Sequence, residues 1–350
     1  MTETAKLISV ATAVPANMLM QSEVSQAVGA TFPASFESNP KVALVFRSAG
    51  IASRYAITPN EWYLEPRGWS EATAAYLEGA KALFIGAATK ALAAAGMAAQ
   101  DVDTVVTVSS TGIATPTLDA YAAVEMGFRS DVLRVPVFGL GCAGGVTGFA
   151  VAARLAKAAP GSTVLLVAVE TCSLAFRLTD TSKSNIVATA LFGDGAAACI
   201  LRSVPDGLAE VEMAGEHLWP ATLGIMGWDV QPEGLGVIFA QEIPEFATRN
   251  MGAAVTGILQ KGGLGMGDID RFICHPGGAK VVTALDTALS LNQGTLDQER
   301  AVLREFGNMS APTVLFVLER ALRGGLPARS VLTAMGPGFT ASCAVLRRAA

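Results

Sequence analysis

Five cysteines, two histidines and several glycine-flanked turns bound the chemistry this 350-residue chain can do. Cys142 stands in FGLGCAGG, with glycines on both sides and a helical segment, GGVTGFAVAARLAKAA, opening directly after it. Such glycines permit a sharp strand-to-helix turn and close approach of backbone to a ligand. A helix start offers free N–H groups and partial positive charge, which lower a thiol pKa and can hold an oxyanion. A lone cysteine is ordinarily a small residue packed at a crowded turn; in this setting a nucleophile is the stronger reading. The five cysteines form no CxxC pair, so the pattern predicts neither a zinc site nor a disulfide framework.

An acid–base partner must come from few candidates. His275 stands in ICHPGG, after an apolar strand and before Pro and two glycines, a position that suits a site. His217, in GEHLWP, lies in a segment without such a turn and is set aside as surface or packing. Asn308, in EFGNMSAPT, could serve as a helix N-cap, the common role for its type. Its amide N–H groups could equally donate to a developing enolate oxygen. Two further turns, Gly193-Asp194-Gly195 and Gly336-Pro337-Gly338, read as sharp bends whose backbone shapes a cavity more than it catalyses. Phe192, just before the first turn, reads by default as core packing.

The elements that must position these residues repeat. Residues 101–111 (DVDTVVTVSST) and 268–277 (DIDRFICHPG) each open Asp-x-Asp and continue as an apolar, β-branched run, the pattern of a buried strand. Both follow an alanine- and glycine-rich helical stretch. The register holds: Asp101 to Asp268 is 167 positions, Cys142 to Asn308 is 166 and Val164 to Val331 is 167. The chain is therefore read as two related halves, 1–205 carrying the cysteine and 206–350 carrying the histidine and asparagine. From GDGAAACIL to GPGFTASCAVL the offset falls to 143, so the first half carries about 24 more residues before its GDG turn. An insert of that kind lines a site, covers it or makes an interface. Alternating strands and helices predict an α/β fold with a mostly parallel sheet in each half, ligands gathering at the loop ends where the halves meet.

Composition sets outer limits. The chain is 51% hydrophobic and 16% charged, enough for a large core. A net charge of −5 with no basic stripe predicts no nucleic-acid partner. Mean hydropathy is high, +0.43, yet the longest uncharged run, Val135 to Ala153, is broken by Pro136 and five glycines. A membrane-spanning helix needs roughly 20 mainly apolar residues, so none is expected. The N-terminus has no basic segment followed by a long apolar one, and a soluble cytoplasmic protein is the expectation.

Taken in order, GLGCAGG, LFGDGAAA, ICHPGG, FGNMSAPT and AMGPGFT resemble the motifs of type III polyketide synthases, the chalcone and stilbene synthase-like enzymes, over nearly the whole chain from about Gly50. CAGG and MGWDV look like the bacterial branch. The resemblance implies a thiolase-like fold, duplicated αβ halves packed as layers α-β-α-β-α, and a homodimer. It implies that Cys142 carries the acyl and growing chain as a thioester and that His275 keeps it a thiolate. His275 with Asn308 would hold the malonyl thioester carbonyl as CO2 leaves, and the enolate would attack the Cys142 thioester.

By position, Phe192 and Phe239 match gatekeeping aromatics between a CoA tunnel and the reaction chamber. Ser110, Thr111, Thr115, Cys172 and Ala175, with Gly336, Pro337 and Gly338, fall where the family binds substrate. Small Ala175 suggests room for a long acyl group. Lys41 and Arg47 lie near the cationic CoA-phosphate positions, although Leu44 and Ser48 stand where plant members carry charge.

The implied activity is iterative decarboxylative condensation of malonyl-CoA onto an acyl-CoA starter, then cyclisation to a pyrone or resorcinol-type product, with a long-chain fatty-acyl starter as the working expectation. No metal and no cofactor beyond the CoA thioesters is implied. Two alternatives stand: a CoA-priming ketoacyl-ACP synthase, whose family has HQAN where this chain has HPGG, and a non-catalytic acyl-binding subunit.

Overall fold

A computed structural model describes residues 4–31 and 41–349, the side chains of 41–43 excepted. In the first half, β1 (Ala5–Ala13) is followed by β2 (Asn17–Met20), α1 (Gln21–Thr31), α2 (Lys41–Ser48) and β3 (Ser53–Ala56). The long α3 (Trp69–Ala94) leads to β4 (Thr104–Val108), α4 (Leu118–Met126), β5 (Leu133–Val137), α5 (Gly144–Ala158), β6 (Thr163–Thr171), α6 (Lys183–Leu191) and β7 (Asp194–Ser203). The second half holds β8 (Ala209–Leu218), β9 (Met226–Gln231), β10 (Gly234–Phe239), α7 (Ile243–Lys261), β11 (Arg271–Cys274) and α8 (Ala279–Ala288). It ends with α9 (Asp297–Phe306), α10 (Thr313–Arg323), β12 (Arg329–Gly336) and β13 (Thr340–Arg348).

The repeat is visible in these bounds. β4 and β11 begin at Thr104 and Arg271, each after a 3-10 turn, and β6 and β12 recur at Thr163 and Arg329. Strands β4 and β6 are buried along their whole length, which explains why both read as continuous apolar runs with no alternation. All main strands join one nine-stranded sheet, ordered β11-β12-β13-β8-β1-β7-β6-β4-β5. The halves meet where β1 pairs with β8 over only two residue pairs.

The sheet is mixed, not mostly parallel. β4 runs parallel to β5 and β6, and β11 to β12, but β6–β7, β1–β7, β12–β13 and β13–β8 are antiparallel. The reason is local for β12 and β13: the turn at 337–339 is too short for a crossover and folds the chain straight back.

Layering follows from where the apolar faces go. Helices α5 and α10 lie between the two halves, sharing one core with Val106, Leu166, Leu332 and Ala344 from both sides of the molecule. Five consecutive residues of α10, Val314 to Leu318, are buried, as expected for a helix surrounded by protein. An outer layer containing α3 covers the first half. Another, of α7 and α8, covers the second. The result is the α-β-α-β-α order, with the ends of both central helices facing the same region.

Candidate active site

Cys142 lies in a 3-10 turn, Gly141–Ala143, that runs directly into α5. Two glycines bring other segments against that turn. A Cβ on Gly145 would lie 2.1 Å from the carbonyl oxygen of Ala311, so only glycine lets α5 press on the loop that follows Asn308. A Cβ on Gly336 would lie 2.5 Å from the Leu140 oxygen, so the GPG turn seats directly on the cysteine turn. In consequence the side chains of Ser310 and Asn308 lie within hydrogen-bonding reach of the Cys142 thiol.

Asn308 is fixed by backbone and side chain together. It forms an isolated parallel bridge with Phe192: its N–H donates to Leu191 O at 2.8 Å, and Gly193 N–H donates to its carbonyl at 3.0 Å. Its Oδ1 accepts from Ser310 N–H at 2.8 Å and its Nδ2 donates to Gly277 O at 3.1 Å. The residue precedes α10 by five positions and so does not cap it, unlike the N-cap that its sequence context allowed.

Gly277 links Asn308 to the histidine: a Cβ there would lie 3.6 Å from both Cδ2 and Nε2 of His275. His275 closes strand β11, its own N–H donating to Thr333 O at 2.8 Å. The ring is buried, and among the described residues neither ring nitrogen has a partner. Burial lowers its pKa to about 3, so the imidazole is neutral. Burial likewise pushes the Cys142 thiol up to about 11, outweighing the hydrogen bonds from Ser310 and Asn308. The helix start therefore does not yield a lowered thiol pKa in the unliganded protein. At rest Cys142 is a thiol and His275 a neutral imidazole.

Cys142 opens on a chamber lined by Ser110, Thr111, Cys172, Phe192, Phe239 and Pro337, all expected there, and by Ser310 and the β9–β10 hairpin. The insert thus lines a site, since it supplies Cys172 and Phe192. Phe239 also lines an outer passage with Leu191, Gly277 and Gly278, and Phe192 also lines an inner apolar cavity. Gly336 and Gly338 stand behind Pro337 as backbone and do not line the chamber.

Three expected positions fall elsewhere. Ala175 lines a neighbouring cavity, separated from the chamber by Thr111 and Trp228, which border both. Thr115 is exposed on the turn after β4, at a cis peptide bond to Pro116. Arg47 is exposed on α2 and misses the outer passage, which Val45 and Ser48 line from one helix face; two positions on from Val45 points away from that face. Lys41 begins α2, and its side chain lies outside the described residues.

Comparison with known proteins accounts for the whole arrangement. Residues 2–205 match the family model for the N-terminal domain of chalcone and stilbene synthases, and residues 210–350 match that for the C-terminal domain. The chain belongs to the chalcone and stilbene synthase family. It is 39% identical, over 97% of its length and 92% of the relative's, to a 1,3,6,8-tetrahydroxynaphthalene synthase of Streptomyces peucetius. It is 30% identical, over 99% of its length and 94% of the relative's, to the 3,5-dihydroxyphenylacetyl-CoA synthase of Amycolatopsis balhimycina. Its structure superposes on that of a 1,3,6,8-tetrahydroxynaphthalene synthase from Streptomyces coelicolor with TM-score 0.93, 28% identity and 99% of each chain covered. The chain is thus a type III polyketide synthase of the bacterial branch, an acyltransferase that condenses malonyl-CoA units.

Sequence reasoning missed several residues of this synthase's site. Lys183 and Lys280 line the outer passage where Lys41 and Arg47 were sought. Trp228 closes the chamber and donates from Nε1 to Ser110 O at 2.7 Å. Glu170 is wholly buried behind the chamber, accepting from Ser110 N–H and, at 2.7 Å, from Thr111 Oγ1. Burial raises its pKa to about 8. None has a repeat partner to mark it; Lys280 lies just past the Gly277-Gly278 turn and Trp228 lies in MGWDV, but neither motif states what its charged or aromatic residue faces.

Proposed function

We propose that Cys142 carries the acyl chain and that His275 and Asn308 hold the malonyl thioester carbonyl during decarboxylation, with an apolar acyl-CoA as starter. The observation that carries this reading is the buried, unpartnered His275 ring against Gly277, whose carbonyl holds the Asn308 amide, with Asn308 in turn within reach of the Cys142 thiol. An unsatisfied buried polar group costs about 1–3 kcal/mol, a cost a fold retains where a ligand completes the bonding. Donors fixed before reaction lower the energy of the enolate that forms as CO2 leaves. Attack of that enolate on the Cys142 thioester forms the carbon–carbon bond. In the proposed first step His275 takes the thiol proton as the starter thioester is attacked, a transfer that requires bound substrate to offset the burial that lowers the imidazole's proton affinity.

The starter reading rests on the inner cavity. It meets the chamber at Cys172 and Phe192 and is lined by Leu19, Val24, Val28 and Phe176. A hydrocarbon chain is the group that gains from such walls. A second reading, priming by malonyl-CoA itself to an aromatic product, is favoured by the similarity to 1,3,6,8-tetrahydroxynaphthalene synthases. Phe239 and Phe192 would then be gates between passage, chamber and cavity. Lys183 and Lys280 are proposed to meet CoA phosphates at the passage, as point charges do. CoA thioesters are the only small molecules this chemistry requires.

A homodimer is supported by the free edge strand β5 and its neighbour α4, joined by Arg134 to Asp119 at 3.2 Å. Leu133 on the strand, Phe138 just after it, and Tyr121 and Val124 on the helix are exposed. Among the described residues no helix is long and apolar enough to cross a membrane. A cytoplasmic location is part of the proposal, as are the two half-chain domains at 1–205 and 206–350.

The test is product analysis with a panel of acyl-CoA starters plus malonyl-CoA, without carrier protein, for wild type and Cys172→Trp. Medium or long acyl starters should be extended by wild type and rejected by Cys172→Trp, while acetyl-CoA priming persists. Extension of malonyl-CoA alone, with no acyl starter incorporated, would replace this starter reading with the second. Condensation only with malonyl-ACP would remove the assignment altogether.

A further inference from the structure

Strand β11 is the outermost strand of the sheet, so its outward N–H groups find no sheet partner. At its end, His275 N–H points inward to Thr333 O, and Cys274 N–H points the other way. That outward N–H donates to Glu299 Oε1 at 3.1 Å. Glu299 is completely buried on α9, and its Oε2 has no partner among the described residues. A buried carboxyl has a high desolvation cost, and a purely packing role would be served better by an apolar side chain.

The location of Glu299 gives the group a purpose. Helix α9 ends at Phe306 and delivers Gly307 and Asn308; strand β11 ends at Cys274 and delivers His275. Glu299 is the side chain that ties the helix leading to Asn308 to the last residue before His275. We propose that Glu299 is a positioning residue that fixes the relative placement of His275 and Asn308, and thereby serves malonyl decarboxylation without touching substrate. The inference rests on the assignment of those two side chains to the malonyl carbonyl.

Arg271 and Arg300 approach the carboxyl electrostatically, yet burial dominates and raises its pKa to about 7, so the group can hold the Cys274 N–H in either protonation state. An amide oxygen accepts as a carboxyl oxygen does. Gln at this position should therefore keep the tie, and Ala or Leu should break it. The broken tie leaves an orphaned N–H directly before His275, and the strand end must shift or take in water to satisfy it.

The experiment compares Glu299→Gln, Glu299→Ala and Glu299→Leu in the full-length protein, each also in a Cys142→Ala background. Malonyl-CoA decarboxylation to acetyl-CoA is measured there free of condensation, beside His275→Ala as reference. A misplacement of about 1 Å costs up to about 100-fold in rate, so Ala and Leu should lower kcat for decarboxylation about 10- to 100-fold with KM little changed. Gln should remain within about twofold of the parent, since it retains the acceptor. Wild-type decarboxylation in folded Ala or Leu variants would overturn the inference, as would equal loss in Gln and Leu. Leu keeps the core filled should Ala fail to fold. If His275→Ala itself decarboxylates normally, the underlying site reading falls instead, and the two failures are thereby told apart.

Discussion

A thiol with its pKa near 11 and an imidazole with its pKa near 3 set a specific expectation for Cys142 in the unliganded enzyme. Burial raises the first and lowers the second, so both changes favour the neutral pair. Alkylation requires thiolate, and thiolate is the minor form until pH passes about 11. The iodoacetamide rate at Cys142 should therefore climb about tenfold per pH unit through the neutral range and show no plateau near pH 6. His275→Ala should shift this profile little in the free enzyme, because a neutral imidazole offers the thiolate no charge. A plateau at low pH that disappears in His275→Ala would mean a thiolate–imidazolium pair, and the burial argument would be wrong. Of the residues involved, Cys142 and His275 were legible because glycines and a strand end mark them. Ser310 was not: it reaches the thiol only because a bare Gly145 lets its loop close in.

At the scale of elements, the β9–β10 hairpin shows what a sequence pattern leaves out. Its place between the first strand and the long helix of its half corresponds to that of β2–β3, but no shared motif marks the two, so the sequence repeat could not align it, yet it forms one wall of the chamber. Trp228 is its working residue, bordering both the Cys142 chamber and the cavity that contains Ala175. Trp228→Ala should therefore merge the two spaces and shift products toward larger starters or more extensions, read by mass spectrometry. The loss of the half-buried indole and its bond to Ser110 should cost about 1–3 kcal/mol of stability. Once Trp228 is Ala, Ala175→Leu should reverse the product shift, whereas in wild type Ala175→Leu should leave products unchanged. A wild-type response to Ala175→Leu would show that the partition leaks. Other elements failed to show in the sequence for similar reasons. An apolar run marks a buried strand without stating its direction, so antiparallel pairing of β7 and β13 was invisible. Helix α2 carries no motif in the sequence, and only packing decides that Val45 and Ser48, not Arg47, face the passage.

For the molecule as a whole, the buried ionisable groups act together on stability. Burial raises Glu170 to about 8, Glu299 to about 7 and Asp194 to about 6, from ordinary values of 4.5, 4.5 and 3.8. Each contributes stability that is complete below its unfolded value and is lost as pH rises through its folded one. His275 has the opposite sign: its contribution is present above 6.5 and lost as pH falls toward about 3. Between pH 5 and 6.5 three groups oppose one, and above 6.5 the carboxyls act alone, so Tm should fall as pH rises from 5 to 8.5. Each group contributes a slope of at most about 1.4 kcal/mol per pH unit where only the native state holds its proton. Glu170→Gln and Glu299→Gln remove titration while keeping an acceptor, so each should flatten the fall and the double variant should flatten it most. A Tm that rises steadily over that range in wild type would mean that these carboxyls are ionised in the native protein. The network of Ser110, Thr111 and Ser173 would then be holding anions, and Glu170 would present a fixed negative charge behind the chamber in which an enolate must form. Such a charge opposes the enolate, so the protonated form is the one consistent with decarboxylation at that site.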